Sequence, residues 1–444
     1  KLKDSYDKKF HNFLTNGIIT PKNDMKYFKS LPQKDKKKYL STIDEIKNKY
    51  KIDKPHILKI IESETSLNNK SIILNKLQNF ETLNTYSSEY FKLKNWVDGI
   101  NKIPFGNFIE PVVRLGTSTK TDIKKYLRKV NKYMDDAVFG HENAKKQILQ
   151  VIAQTISKPS ESGTILAIQG PPGVGKTQLI QDGISKALGR PFEFISLGGA
   201  TDSSFLEGFD YTYEGSRWGK IVDCIIKSKC MNPVIFFDEL DKISDTAKGE
   251  EIVNILTHLT DLTQNSHFND KYFQGIDFDM SKVIFIFSFN EEWKINKILK
   301  DRMYIIRTDG FELSDKISIA TKHLIPKIIN SVGFKLNNIE FTKEILEFII
   351  ENYTFEGGVR KLKECILEIC KEINLRIMND KTLLNSKIIY PIKITKEMLS
   401  DDIFEKRRIH TIEKIYTHPK IGLVNGLWAN DMGVGGLIPI EVFT

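Results

Sequence analysis

The sequence predicts an α/β fold in which a parallel sheet is flanked by helices. Three continuous apolar runs, at residues 164–168, 234–237 and 283–287, alternate with segments whose apolar residues recur at a helical period. Runs of this kind are typical of parallel strands that are covered on both faces. Helical patterns also precede and follow this part of the chain, and residues 421–442 are predicted to be β-rich.

The first predicted element is a Lys-rich helical region. Leu40, Ile43 and Ile46 recur at spacings that place them near one face of a helix. Residues 103–107 contain a Pro and a Gly, which interrupt the pattern. We therefore expect an N-terminal helical region over residues 1–106, in which no residue indicates chemistry.

The first apolar run leads into a phosphate-binding motif. Eight consecutive residues fit the pattern GxxxxGK[ST], namely Gly170, Pro171, Pro172, Gly173, Val174, Gly175, Lys176 and Thr177. Its glycines let backbone N–H groups surround phosphates, and the helix predicted to begin here adds a favourable dipole. Lys176 is expected to reach the β- and γ-phosphates of ATP, and Thr177 to ligate Mg²⁺. A chance Gly-rich turn is the weaker interpretation, because a strand precedes the motif and a helix follows it.

Two carboxylates follow the second apolar run. Asp238 and Glu239 come directly after residues 234–237, so that a buried strand delivers both to one edge of the sheet. Asp238 is expected to hold Mg²⁺ and Glu239 to polarise the attacking water, since phosphoryl transfer needs mainly positioning and charge neutralisation. Asn290 follows the third run and can orient that water, but a turn-forming Asn explains it equally well.

Composition bounds the class of protein. A chain of 444 residues is too long for one compact core and predicts two to three domains. Its 40% hydrophobic and 28% charged residues fit a folded globular protein rather than a disordered one. No apolar run is long enough to span a bilayer, so we expect no membrane partner.

Charge and cysteine content suggest an ordinary protein of a reducing compartment. The net charge of +9 predicts a solvated basic surface, with weak, non-specific DNA binding as the alternative. The four Cys residues form no CxxC pair and no metal-ligand spacing, which predicts free thiols. We expect a cytoplasmic location or another reducing compartment, with a location like the mitochondrial matrix left open because the chain starts at Lys1 rather than Met.

Several segments resemble the ATPase region of a Lon protease, a member of the AAA+ class. They extend beyond the ATP motifs and cover roughly residues 87–444. The matching segments are residues 87–90, 95–98, 103–106, 136–140, 188–192, 196–199, 323–327, 353–354 and 358–360, together with Gln264, Asn265, Phe268, Asp270 and Tyr272.

The resemblance implies an AAA+ fold with four parts. These are the helical region over 1–106, an AAA+ α/β nucleotide-binding domain over 107–312, a helical lid over 313–405, and a linker with the first strands of a proteolytic domain over 406–444. It also implies ATP and Mg²⁺ as cofactors, a homo-hexameric ring, and polypeptide substrates that are unfolded and threaded toward a protease chamber.

The resemblance assigns roles to four further positions. Asn290 becomes the sensor of the γ-phosphate, and Arg360 a lid residue that acts on the same nucleotide. Arg302 becomes an arginine finger that reaches the nucleotide of the neighbouring subunit. Tyr213 becomes the pore-loop aromatic that grips substrate, since an aromatic ring holds many sequences through non-directional contact.

The sequence departs from the family near the pore loop. Glu214 follows Tyr213 where an aliphatic residue is usual, Arg217 and Trp218 replace a smaller, Pro-containing pair, and residues 200–209 lack the usual charged pattern. The nucleophilic Ser and partner Lys of the family are expected beyond Thr444, so we expect a fragment whose proteolytic domain is only begun.

Two other functions remain open at this level. One is a nucleic-acid remodelling motor of the same AAA+ class, which requires a basic channel in place of an aromatic pore loop. The other is a non-hydrolysing ATP-binding scaffold, which an intact Glu239 and Arg302 argue against.

Overall fold

A computed structural model describes residues 6, 9, 22–49, 56–157, 165–200, 202–379, 390–405, 407, 418–419, 421–429 and 435–442. The chain forms two compact units, Lys1–Ser63 and Glu64–Thr444. The first contains the helices Lys22–Ser30, Gln33–Lys49 and His56–Glu62, with Phe28, Leu40 and Ile60 buried.

The second unit begins with two helices, Leu67–Thr82 and Ser88–Ile100, which we call the helical pair. Each begins at a serine cap: the hydroxyl of Ser66 accepts a hydrogen bond from the backbone N–H of Asn69, and that of Ser87 from Tyr90. Trp96 is fully buried in the second helix. Two further helices follow, Lys120–Ala137 and Glu142–Ser157.

A five-stranded parallel sheet forms the centre of the second unit. Its strands are β1 (Ile165–Gln169), β2 (Phe192–Ser196), β3 (Val234–Asp238), β4 (Ile284–Phe289) and β5 (Tyr304–Arg307), in the order β2-β3-β4-β1-β5. The predicted α/β class is therefore confirmed. Strands β1, β3 and β4 are the three apolar runs, whereas the edge strands β2 and β5 were not predicted from the sequence.

Helices cover both faces of this sheet. A continuous helix follows β1 as Lys176–Gln178, the π-helical stretch Leu179–Ser185 and Lys186–Leu188. The others are Ser204–Glu207, Lys220–Ser228, Ala247–Thr260 and Lys297–Asp301, with short 3₁₀ turns at Leu240–Lys242, Asn265–His267 and Glu292–Lys294. A small antiparallel pair joins Phe268–Asn269 to Asp277–Phe278.

A helical subdomain with its own hydrophobic core follows the sheet. Its helical stretches are Leu313–Ile319, Ala320–Leu324, Ile325–Val332, Leu336–Asn338, Lys343–Ile349, Ile350–Thr354, Arg360–Met378, Lys396–Met398 and Leu399–Ile403, and the strands Ile339–Glu340 and Ile392–Lys393 pair in parallel. Ile349, Leu362, Ile366 and Ile369 are fully buried in that core. The predicted β-rich end is confirmed by the hairpin of Leu423–Ala429 and Gly435–Glu441.

Candidate nucleotide-binding site

A cavity of about 730 Å³ opens at the carboxyl edge of the sheet, facing the helical subdomain. Parallel sheets bind ligands at this edge, because loops diverge there and helix N-termini point toward it. The cavity is lined by most of the predicted site residues, namely Pro172, Gly173, Val174, Gly175, Lys176, Thr177, Asp238, Glu239, Asn290 and Arg360.

The phosphate loop has the conformation that its glycines allow. Gly173 and Gly175 have φ values of 82° and 91°, in the left-handed region that glycine adopts at little cost. Gly170 is required for a different reason, since a Cβ there would lie 2.1 Å from Oγ1 of Thr308. The Thr308 hydroxyl donates to the carbonyl of Gln169 at 2.9 Å, which fixes the start of the loop against β5.

Lys176 and Asn290 meet in the cavity, although they are far apart in sequence. The Lys176 ammonium donates to Oδ1 of Asn290 at 2.6 Å and to the carbonyl of Gly170 at 2.5 Å. Burial lowers the pKa of Lys176 to about 8, while Asp238 and Asp241 act in the opposite direction. Because the Lys176 ammonium is partly withdrawn from solvent, a negative charge beside it stabilises its charged form, which favours an anionic ligand next to Lys176.

The two carboxylates after β3 are held in different ways. Asp238 accepts hydrogen bonds from the hydroxyl of Ser288 on β4 and, at 3.1 Å, from the backbone N–H of Glu239. Glu239 has a positive φ of 61°, and its Oε2 accepts from the hydroxyl of Ser196 at 3.4 Å. A Cβ at Gly198 would lie 2.4 Å from the same oxygen, so glycine leaves the space that this carboxylate occupies.

Several supporting residues were missed from the sequence. The buried Asp241 accepts hydrogen bonds at 3.2 Å from the backbone N–H groups of both Asn290 and Glu291, and so fixes the turn that carries Asn290. The sequence indicates Asp241 only by its position three residues after Asp238. His141 donates from Nε2 to the carbonyl of Val174 at 3.1 Å, and no sequence motif marks it.

The helical subdomain contacts the phosphate loop through main-chain atoms. The backbone N–H of Val359 donates to the carbonyl of Gly173 at 3.2 Å. A Cβ at Gly358 would lie 2.4 Å from the carbonyl oxygen of Pro172, so only glycine permits this approach. Arg360 begins the next helix here, and its side chain is 75% exposed at the cavity.

Arg302 and Tyr213 are placed apart from the other predicted site residues. Neither Arg302 nor Tyr213 is among the described residues that line the cavity. The Arg302 guanidinium donates to the carbonyl of Thr257 at 2.8 Å and lies 3.0 Å from the carboxylate of Asp261. The side chain of Tyr213 is 68% exposed in the loop before Lys220–Ser228. Their roles toward a neighbouring subunit and a polypeptide stay predictions.

Comparison with protein families identifies the two domains around the cavity. Residues 166–310 match the "ATPase family associated with various cellular activities (AAA)", and residues 330–386 match the "Lon protease AAA+ ATPase lid domain". The chain thus contains an AAA domain followed by a lid domain of the Lon type, which confirms its resemblance to the ATPase region of a Lon protease. The AAA+ fold expected from that resemblance is confirmed, and the residues that match the lid lie in the helical subdomain, which we call the lid.

Curated proteins named as Lon proteases are similar over most of this chain. A "Lon protease homolog" of Acanthamoeba polyphaga mimivirus is 32% identical over 85% of the chain and 41% of its own length. "Lon protease 1" of Bacillus subtilis is 34% identical, over 84% and 45%, and "Lon protease homolog, mitochondrial" of Rattus norvegicus is 30% identical, over 82% and 36%. The chain spans less than half the length of these three relatives.

Two features are absent from the described residues. Among their helices, none is both long and apolar enough to cross a membrane. Within the same part of the chain, no group of three or more His, Cys, Asp or Glu side chains is arranged to hold a metal ion. Asp238 and Thr177, which both line the cavity, stay the predicted ligands of a magnesium ion that is bound with nucleotide.

Proposed function

We propose that this chain is the ATP-hydrolysing motor of a Lon-type, ATP-dependent protease, and that it unfolds polypeptides and threads them toward a protease chamber. The observation that carries the proposal is the convergence of Lys176, Asp238, Glu239 and Asn290 at one cavity that is closed on one side by a Lon lid. The substrate of this motor in the chemical step is magnesium-bound ATP.

The geometry supports a division of labour among these residues. The phosphate loop and Lys176 would bind the phosphate chain, and Asp238 with Thr177 would hold its magnesium ion, which would neutralise charge on the transferring group. Glu239 accepts a proton from the water that attacks the γ-phosphate. In support, the Ser196 hydroxyl donates to its carboxylate, and Gly198 leaves the space that the carboxylate occupies. Asn290, fixed by Asp241, orients the γ-phosphate and the water.

Glu239→Gln tests the chemical step. The amide keeps the size of the side chain but cannot act as a base, so ATP should still bind while turnover falls by about 10²- to 10⁴-fold. Nucleotide affinity and phosphate release are measured on the same preparation. Unchanged hydrolysis contradicts the assignment of Glu239, and hydrolysis abolished together with binding contradicts its purely chemical role.

A homo-hexameric ring is the second part of the proposal. Arg302 lies outside the cavity of its own chain, as an arginine finger that acts on a neighbour requires. Lys176→Ala subunits lack nucleotide but keep the finger, whereas Arg302→Ala subunits keep the nucleotide site. Each variant alone should be inactive, and a mixture should recover part of the ATPase activity. Failure of the mixture to recover, with assembly intact, contradicts a finger that acts between subunits.

The class of cargo is tested by stimulation of hydrolysis. Tyr213 is an exposed aromatic in the loop expected to line the pore, which supports polypeptide as the cargo. An unfolded protein should stimulate ATP hydrolysis, and DNA should not. The reverse result favours the nucleic-acid motor.

The four buried free thiols support a reducing compartment for this activity.

A further inference from the structure

The helical pair packs against the base of the loop that carries Tyr213. This loop, residues 208–219, is closed by a hydrogen bond of 3.2 Å from the N–H of Phe209 to the carbonyl of Arg217. The ammonium of Lys92, on the second helix of the pair, donates to the carbonyl of Thr212. A region in which the sequence shows no chemistry thus contacts the candidate substrate-gripping loop directly.

Trp218 joins the end of this loop to the helical pair. Its ring stacks on Phe273 at 6.0 Å between centroids and meets the edge of Tyr272 at 5.7 Å. The ring also lies over Gly99, where an added Cβ would be 2.9 Å from Trp218. Because Gly99 presents no side chain, the helix Ser88–Ile100 offers a flat surface that the indole covers.

Lys76 joins the start of the same loop to the helical pair. Its ammonium lies 4.2 Å from the ring centroid of Tyr211 and 4.5 Å from that of Trp96, so one cation contacts an aromatic ring of the loop and one of the pair. Such contacts strengthen when water is excluded. Burial lowers the pKa of Lys76, and the nearby Asp210 acts in the opposite direction.

The AAA domain holds the loop from the opposite side. The buried carboxylate of Asp270 accepts a hydrogen bond of 2.8 Å from the N–H of Gly219, and the N–H of Lys271 donates to the carbonyl of Glu207 at 2.7 Å. These bonds fix where the loop leaves and rejoins the domain. Between these two points, Tyr211, Thr212 and Trp218 contact the helical pair, and the rings of Tyr211 and Trp218 also meet Tyr272 of the AAA domain.

We propose that Lys76 and Trp218 are positioning residues through which the helical pair sets the direction of the 208–219 loop, and thereby the affinity of Tyr213 for polypeptide. This rests on the proposed function, because it assigns the grip on polypeptide to that loop. Trp218 is one of the residues by which the sequence departs from the family pattern, so this chain has its own means of fixing the loop.

Hydrogen exchange in the full chain tests the positioning itself. Lys76→Met removes the cation but keeps the apolar stem, and Lys76→Arg keeps the cation. Lys94→Met, at an exposed position of the second helix, is the matched control. Amides of residues 208–219 should exchange faster in Lys76→Met and Trp218→Ala, but not in Lys76→Arg or Lys94→Met. Equal exchange in all variants overturns the proposal, whether or not the chain is a motor.

Steady-state kinetics test the consequence for grip. With reduced, carboxymethylated lactalbumin as the polypeptide, its KM for stimulating hydrolysis should rise about fivefold in Lys76→Met, as expected for the loss of about 1 kcal/mol from a partly buried cation–π contact. The basal kcat without polypeptide should stay within about twofold. Faster exchange with an unchanged KM overturns the link to grip. An absence of stimulation in the unaltered chain contradicts the proposed function instead, and the exchange result still decides the positioning.

Discussion

Gly198→Ala should displace the Glu239 carboxylate and leave the other groups of the site where they are. The added Cβ would lie 2.4 Å from Oε2 of Glu239, whereas ordinary contact begins at 3.4 Å. The carboxylate must therefore retreat by about 1 Å, and a displacement of about 1 Å in a catalytic group can lower a rate about 100-fold. The atom displaced is the end of a flexible side chain, so the free energy of unfolding should change by no more than about 0.5 kcal/mol.

The neighbouring glycine provides the control. Gly199 has no heavy atom within 4 Å of an added Cβ, so Gly199→Ala should behave as the unaltered protein. Phosphate release gives kcat, nucleotide titration gives the affinity for ATP, and thermal unfolding reports on the fold. We expect kcat to fall by one to two orders of magnitude in Gly198→Ala alone, at unchanged affinity. A full kcat in Gly198→Ala, or equal losses in both variants, refutes the geometric reasoning.

Three further predictions concern Asp241, Lys176 and Tyr213. Asp241→Ala leaves two buried N–H groups without an acceptor and should lower the free energy of unfolding in urea by about 1–3 kcal/mol; an unchanged midpoint contradicts this. The lowered pKa of Lys176, about 8, means that its positive charge is present below that pH and is lost as the pH rises through it, so ATP affinity measured by calorimetry should be lower at pH 9 than at pH 7. Tyr213→Ala should keep basal hydrolysis but lose its stimulation by polypeptide, and Tyr213→Phe should retain the stimulation.

The parts of the fold that the sequence predicts are those with a local signal. Strands β1, β3 and β4 are buried on both faces and therefore consist of continuous apolar residues. The edge strands β2 and β5 escaped prediction because each leaves a large side chain in solvent, with Phe194 and Tyr304 exposed. An edge strand needs only one protected face, and strands of five and four residues are too short to show a clear alternation of apolar and polar residues.

The residues of the candidate site likewise divide into those that a local sequence pattern indicates and those that it does not. The phosphate loop and Asp238 with Glu239 are contiguous in sequence, so motif and spacing indicate them. Thr308 and Gly198 act through contacts with residues that are distant in the chain, which no local pattern encodes, and Asp241 is indicated only by its spacing from Asp238. Whether Arg302 serves its own nucleotide or a neighbour's depends on an assembly that the sequence of one subunit does not describe.

The main-chain contact between the lid and the phosphate loop has a mechanical consequence. Side-chain contacts adjust by changing rotamers, but the contact of Gly358 with Pro172 involves backbone on both sides and has no such freedom. A rotation of the lid would therefore be centred on this contact, beside the phosphate loop. The helix that begins there, Arg360–Met378, has 19 residues and is about 28 Å long. A rotation of about 5° about the contact would move the far end of this helix by about 2.5 Å, so a small displacement beside the phosphate loop would become a larger one at the far end of the helix.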